Sequence, residues 1–373
     1  MRSISALVTA CSLVVVAACS DNSVFEPSQQ TRAVDADAGV APEGALRVTV
    51  MTRNLYVGAD VDAVIAALAS PDPADDLPAL LRAIETIQRT DFPTRARAIA
   101  EEIDRVRPHV VGLQEVSEID IDLTGLGLPV VIHQDFLASL DAALSDRGLS
   151  YVPAATITNI EAVPLPGISL VDFDVMLVDP ARVTVTSVVE QNFAANLGIV
   201  APGLDIKRGW VAVTGLVDGA AYTFASTHLE SGSLPGFPEL RALQVGELVA
   251  SFGPSSPAVL MGDLNDMPGS PMYQVLTGAG LTDVWRALRP GVVGYTCCHA
   301  SDLSNHIPAF DQRLDYVFVR GVGHANKAVM GQITLVGLVP AARLPGPLGT
   351  IWPSDHAGIG VDFLMPPARG RSP

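Results

Sequence analysis

Short apolar runs of strand length alternate along this chain with amphipathic runs of helix length. That alternation limits it to a layered mixture of sheet and helix. From Leu46, "LRVTVMTRNLY" alternates apolar and polar residues and predicts a first strand. Residues 93–107, "PTRARAIAEEIDRVR", carry apolar residues at helical spacing behind an N-terminal Pro, and Pro108 ends them. "HVVGLQEV" then reads as a buried strand that finishes in polar residues. "DFLASLDAALSDRGL" (135–149) predicts a second helix with Gly148 at its exit, and "FPELRALQVGELVASF" a third. "DFDVMLVD", "GWVAVTGLV", "AYTFASTHL", "AVLMGDLN", "RLDYVFV" and "GIGVDF" predict further strands. Several of these are joined by turns, which favours a mixed-sheet sandwich flanked by helices over an all-parallel wound sheet, so the class is α/β (α+β). No long polar linker splits residues 46–365, and they are expected to form one domain. With 49% hydrophobic and 17% charged residues, the chain has the material for a sizeable core.

The ends read differently. "MRSISALVTACSLVVVAACS" has one Arg, then an apolar stretch closing in small residues, as a secretory signal peptide does. "VAAC" at its end resembles a bacterial lipoprotein box. That resemblance implies a signal over 1–18, lipidation of Cys19, and an exported chain held at a membrane surface of the bacterial envelope. Ordinary cleavage near Ala18, leaving Cys19 free, is the alternative. Residues 19–45 are polar, acidic and short of large apolar groups, and are expected to be a flexible tether. Residues 366–373, within "PPARGRSP", are expected to be a loose tail. In the remainder only Cys297 and Cys298 are left, as a vicinal disulfide or as two thiols. His299 beside them reads as structural.

The apolar runs close on polar residues: Asn54, Glu115, Asp172 or Asp174, His228, Asp263 with Asn265, Asp315, and Asp355 with His356. In "LMGDLND", residues 263 and 265 point the same way if the strand persists. Each residue alone has a plain structural reading. Asn54 fits a turn before Gly58, Glu115 a solvated strand end, and His228 a satisfied core histidine. Asp315 fits a surface pair with Arg313, and Asp355 a turn cap. Seven such positions at the ends of hydrophobic strands point instead to one rim of a sheet, where sites form.

"TRNLYVGAD", "VVGLQEV", "STHLES", "MGDLND", "QRLDYVFV" and "PSDHAGI" resemble, in order, the motifs of the endonuclease/exonuclease/phosphatase superfamily. That superfamily includes pancreatic-type deoxyribonucleases, abasic-site endonucleases, neutral sphingomyelinases and inositol polyphosphate 5-phosphatases. The likeness runs from residue 52 to 358. It implies a DNase I-like, four-layer αββα sandwich and metal-dependent hydrolysis of a phosphate ester.

The resemblance also assigns roles, and the chemistry explains the residue types. Charge grows on the leaving oxygen of a phosphoryl group, and a hard divalent cation with oxygen ligands neutralises it. Glu115 is the main ligand, Asn54 adds a neutral oxygen, and Asp355 ligates directly or through water. Asp263 orients or deprotonates the attacking water, and Asn265 holds that water or a phosphate oxygen. His228 and His356 face the phosphorus, at least one of them protonated. Asp315 holds His356 by its other ring nitrogen. Mg²⁺ is the expected ion, although oxygen ligands admit Mn²⁺ or Ca²⁺.

Two segments depart from the better-known relatives. Asp172 or Asp174 stands where nucleases often carry Tyr or Asn-Gly, and a carboxylate there repels a nucleic-acid phosphate unless it recruits a second cation. Asp174 is therefore a candidate substrate contact. Arg208 in "DIKRGW" either contacts phosphate or caps its loop.

The substrate is expected to be a phosphodiester, with nucleic acid, a lipid headgroup or a small phosphoester as candidates. A formal net charge of -17 disfavours tight binding to a phosphate backbone. A lipid hydrolase would use an exposed apolar loop, for which 163–171 and 337–352 are candidates, although such Pro-Gly loops also pack cores. Membrane contact is expected through Cys19, and no protein partner is evident. The alternatives are a phosphomonoesterase and an inactive binding or scaffold module on the same fold. The intact set of polar strand ends argues for an active enzyme.

Overall fold

The computed structural model describes residues 46–72, 74–252, 257–321, 329 and 331–365. The signal peptide, Cys19, the tether and the C-terminal tail lie outside the described residues.

Two large sheets are present. Across the first, the order is β14 (Gly331–Val336), β17 (Gly358–Met365), β1 (Leu46–Asn54), β2 (Val110–Asp122), β5 (Ile168–Val178), β4 (Val152–Leu165), β8 (Leu204–Ile206) and β7 (Gly198–Ala201). β3 (Val131–Asp135) pairs with β2. Across the second, it is β12 (Thr282–Asp283), β13 (Asp315–Arg320), β11 (Ala258–Asp263), β10 (Ala220–His228), β9 (Gly209–Val217) and β6 (Thr184–Asn192). Both sheets are mixed: β1 runs parallel to β2 and β10 parallel to β11, while the other pairs are antiparallel.

The period-two alternation of the strands builds the layers. Val48, Val50 and Met176 of the first sheet meet Val211, Phe224, Val259 and Met261 of the second. On the outer side of the first sheet, Met51, Val111 and Leu113 pack under α2 (Asp76–Thr90), α3 (Phe92–Val106) and α4 (Phe136–Ser145). The short helix α1 (Val61–Leu68) precedes them. Beneath the second sheet, Ala225, Leu260 and Phe318 pack against α5 (Phe237–Ser251) and α6 (Pro271–Gly278), and α7 (Val284–Leu288) follows β12. The architecture is thus helix, sheet, sheet, helix, as the resemblance implies.

Helix α3 starts where its sequence dictates: Asp91 accepts a hydrogen bond from the Thr94 amide at 3.2 Å, and Pro93 sits in the first turn, where no donor is needed. Asp135 caps α4 in the same way. Two segments depart from expectation. Residues 163–171 are the tip of the β4–β5 hairpin, with Gly167 in the turn, rather than a loop. Residues 337–352 form a 3₁₀ turn and a small hairpin of β15 (Leu344–Gly346) and β16 (Gly349–Ile351), followed by the fully buried Trp352. His299 stacks on that indole with ring centroids 3.9 Å apart, and its Nε2 meets the Gly337 carbonyl. Cys297 and Cys298 are joined as a disulfide. No helix among the described residues is long and apolar enough to cross a membrane.

Candidate active site

The register of the second sheet sets three polar residues in a row. His228 ends β10 opposite Asp263, and Asp263 ends β11 opposite Asp315 at the start of β13. Gly262 precedes Asp263 at a φ of 147°, where an added Cβ would lie 2.0 Å from the Thr227 carbonyl oxygen, so only glycine fits between the strands. His356 approaches the row from the loop before β17. Its Nδ1 meets Asp315 Oδ2 at 2.8 Å, and its Nε2 lies 3.7 Å from Asp263 Oδ2. His228 Nε2 lies 3.8 Å from that same oxygen. Asp263 Oδ1 accepts from the Asn265 amide at 3.0 Å, and the Asn265 side chain donates to the Leu229 carbonyl.

The first sheet supplies the facing residues. Asn54 ends β1 opposite Gln114 of β2. Glu115 follows at a bulge, where pairing with β5 shifts between Leu113 and Val116, and it adopts a positive φ of 56°. A non-glycine residue in that region is uncommon and gathers at functional sites. The bulge turns the Glu115 carboxylate toward the site. There Oε2 accepts from the Val57 amide at 2.7 Å and Oε1 from Asn54 Nδ2 at 2.8 Å. Asn54 Nδ2 also reaches Asp263 Oδ2 at 3.1 Å, bridging the two sheets.

Asn54, expected to offer its oxygen to a metal, has both ends of its amide engaged. The Tyr56 amide donates to Asn54 Oδ1 at 2.8 Å, which fixes the oxygen there and turns the amide nitrogen to the carboxylates. Through its amide nitrogen Asn54 positions Glu115 and Asp263, and its oxygen keeps a second lone pair.

One expected substrate contact, Asp174, is corrected, and Arg208 has partners of its own. Asp174 is fully buried on the face of β5 that points between the sheets, so no substrate reaches it. Burial raises its carboxyl well above the ordinary range, with Asp172 adding to the shift. Arg208 is 3% exposed and pairs with Glu230 at 3.4 Å. Rather than capping a loop, it donates to His228 Nδ1 at 3.3 Å and lines a pocket with Glu115 and His228.

The two histidines therefore hold opposite states. An arginine can only donate, so His228 Nδ1 is an acceptor and its proton sits on Nε2, toward Asp263. Burial lowers the His228 pKa well below the ordinary value, helped by Arg208 and His356, and the ring is neutral. Burial alone would lower His356 too, but Asp315, Asp263 and Asp355 outweigh it and hold this ring protonated. Burial pushes Asp263 up to about 6, opposed by His356. Burial likewise pushes Asp355 up to about 7, opposed by His356 and assisted by Glu115 and Asp263.

The part-buried carboxylates of Glu115 and Asp355 are hard oxygen donors, Glu115 helps to raise the Asp355 carboxyl, and a divalent cation between them would relieve that repulsion. Asp315 Oδ1 is buried without a hydrogen-bond partner. Ligand atoms of Asp263, Asp315 and His356 lie within 4.8 Å of one another, a second acidic and imidazole grouping beside the first pair. The oxygen donors of Glu115 and Asp355 fit a divalent metal, whereas the protonated ring of His356 offers it no lone pair.

Positioning residues that the sequence reading missed stand behind the site. Arg95 of α3 is fully buried and donates to the carbonyls of Thr90, Leu55, Tyr56 and Pro353. Arg53 pairs with Glu102 at 2.9 Å and donates to the His356 carbonyl. Ser354 Oγ donates to the Asn54 carbonyl at 2.8 Å, tying the Ser-Asp-His loop to the end of β1. One signal was available: Arg95 and Glu102 fall on the apolar face of α3, where an unpaired charge would be costly.

Known proteins bear on this arrangement. A family model described as the Endonuclease/Exonuclease/phosphatase family matches residues 87–356. Among solved structures, the catalytic domain of human Nocturnin is similar at 16% identity and a TM-score of 0.53, covering 86% of this chain and 95% of that one. A protein of the same family from Leptotrichia buccalis is similar at 15% identity and a TM-score of 0.52, covering 85% and 99%. A humanized TDP2 of D. rerio is similar at 17% identity and a TM-score of 0.50, covering 85% and 98%. At these identities the likeness speaks to fold alone. No curated protein sequence matches significantly.

Proposed function

The chain belongs to the endonuclease/exonuclease/phosphatase family, whose members hydrolyse phosphoesters, and on that premise we propose that it is a metal-dependent phosphodiesterase acting by direct attack of water. The observation that carries this reading is the split of charge on either side of Asp263. A neutral His228 stands on one side and a protonated His356 on the other, both within 4 Å of one carboxylate oxygen.

Each residue then has a task. Asp263 takes up or orients the attacking water, with its carboxylate aimed by Asn54 and the Asn265 amide. His356 presents a positive N–H to the phosphoryl oxygens, kept protonated by Asp315. His228 offers a neutral N–H, its tautomer set by Arg208. Glu115 and Asp355 would hold the cation, which when bound supplies Lewis-acid stabilisation of charge on the phosphoryl oxygens. Mg²⁺ is proposed, since all donors are oxygen.

A net charge of -17 weighs against a long nucleic acid and favours a small or lipid phosphodiester. We also propose that the chain is exported and held to a membrane through lipid on Cys19, on the strength of its lipobox-like "VAAC".

The test compares an artificial aryl phosphodiester with its matching monoester in Mg²⁺, using His356→Ala as the blank. The reading predicts diester turnover that falls by roughly two to four orders of magnitude in the variant. Preferential monoester turnover would make this a phosphatase. No metal-dependent turnover of either would support the inactive module.

A further inference from the structure

A cavity opens beside this site that the chemistry above does not use. It lies under α1 and α2 and over the β2, β5 and β4 region of the first sheet. It encloses about 650 Å³ of space not filled by atoms, its open mouth included. Leu68, Ile84, Ile119, Ile121 and Ala162 are among its walls, and among the described residues Ser169 is the one polar side chain lining it. Only a small part of the space admits a whole water molecule, so the cavity is narrow.

Helix α1, "VDAVIAAL", carries a single charge, yet none of its residues is fully buried. It roofs the cavity without filling it.

Val57, Val61, Ile65, Ile160 and Leu170 line this cavity and also a second, smaller pocket. The other walls of that pocket include Glu115, Asp172, Arg208 and His228. Shared walls therefore join a charged end at the candidate active site to an apolar end. A dry apolar cavity of this kind takes up hydrocarbon and excludes ions and water.

Resting on the phosphodiesterase reading, we propose that the substrate is a phosphoester carrying one unbranched hydrocarbon chain, with its phosphate at the Glu115 and His228 end and its chain in this cavity. The narrow bore fits a chain and rejects a fused ring. Apart from Ser169, its described lining offers no polar side chain to a sugar or a base.

The test uses para-nitrophenyl phosphodiesters whose second ester is methyl, hexyl or decyl, below their micelle concentrations and again in phosphatidylcholine vesicles. In parallel, calorimetry in Mg²⁺ measures binding of decyl phosphate against methyl phosphate. The proposal predicts that kcat/KM rises about threefold per added methylene as far as the chain is buried. It also predicts decyl phosphate binding at least tenfold tighter than methyl phosphate. Ala83→Phe and Ala162→Leu narrow the cavity from opposite walls; each is expected to erase both dependences while keeping the methyl ester rate and the melting temperature.

Turnover with no chain-length dependence and equal binding of the two phosphates would overturn the proposal and leave the phosphodiesterase reading intact. Tight, variant-sensitive decyl phosphate binding without turnover would overturn that reading and keep the cavity assignment. A chain-length effect seen only in vesicles and untouched by both variants would assign it to the membrane surface and overturn the proposal.

Discussion

His228 and His356 face the same oxygen of Asp263, and the residues behind them give the two rings opposite charges. Arg208 lies behind one and Asp315 behind the other. The residue types at the strand ends were legible in sequence because strand alternation and motif order expose them. Their protonation was not, since the partners lie 20 and 41 residues away and only the fold brings them into contact. Asp174 shows the same limit. Its position at a strand end made it look accessible, yet its side chain falls between the sheets. Its carboxyl is raised well above the ordinary range in the folded state, first by burial and then by Asp172, against Arg208. The folded protein thus keeps a proton that the unfolded chain has lost, and stability falls as pH rises above the ordinary carboxylate pKa. Asp174→Asn removes that loss. Its melting temperature should exceed that of the wild type by a larger margin at pH ~8 than at pH ~5. An equal margin at both would mean that Asp174 is ionised when folded.

Elements position these residues through a few buried tethers. Arg95 reaches from α3 to the chain after β1 and to the loop before His356, so one side chain aligns both halves of the site. Arg95→Met should cost about 3 kcal/mol of stability, because it leaves buried carbonyls unpaired. Turnover should fall as well, and denaturant unfolding beside kinetics would measure both. A variant with wild-type turnover would show that the loop is held by other contacts. The helical spacing of α3 was legible within a residue of its ends, and it set Arg95 on the apolar face, but the carbonyls that Arg95 serves come from distant segments and were not legible. The apolar loop expected at 163–171 is a hairpin tip for a related reason: a Pro-Gly pair marks a turn equally in a loop and between two paired strands.

At the scale of the whole molecule, two mixed sheets packed face to face bring the strand ends of both to one rim, and the site lies across them. The order of motifs implied this layering. It did not reveal the cavity beside the site, which arises from how α1 sits over the sheet rather than from any one residue. The proposed attachment at Cys19 predicts that Cys19→Ser moves the protein from the membrane fraction to the soluble one, as immunoblotting of the fractions would show. A variant still found with the membrane would refute the lipid anchor. The central claim is that Glu115 and Asp355 hold a cation on which phosphodiester hydrolysis depends. Its most direct test is the hydrolysis rate of an aryl phosphodiester as Mg²⁺ is added back to chelator-treated protein, with Glu115→Gln alongside. The account predicts a saturable rise from near zero for the wild type, and for the variant a curve displaced to at least tenfold higher Mg²⁺ on the scale of a lost charged ligand. Full turnover in chelator, or superimposable curves, would contradict it.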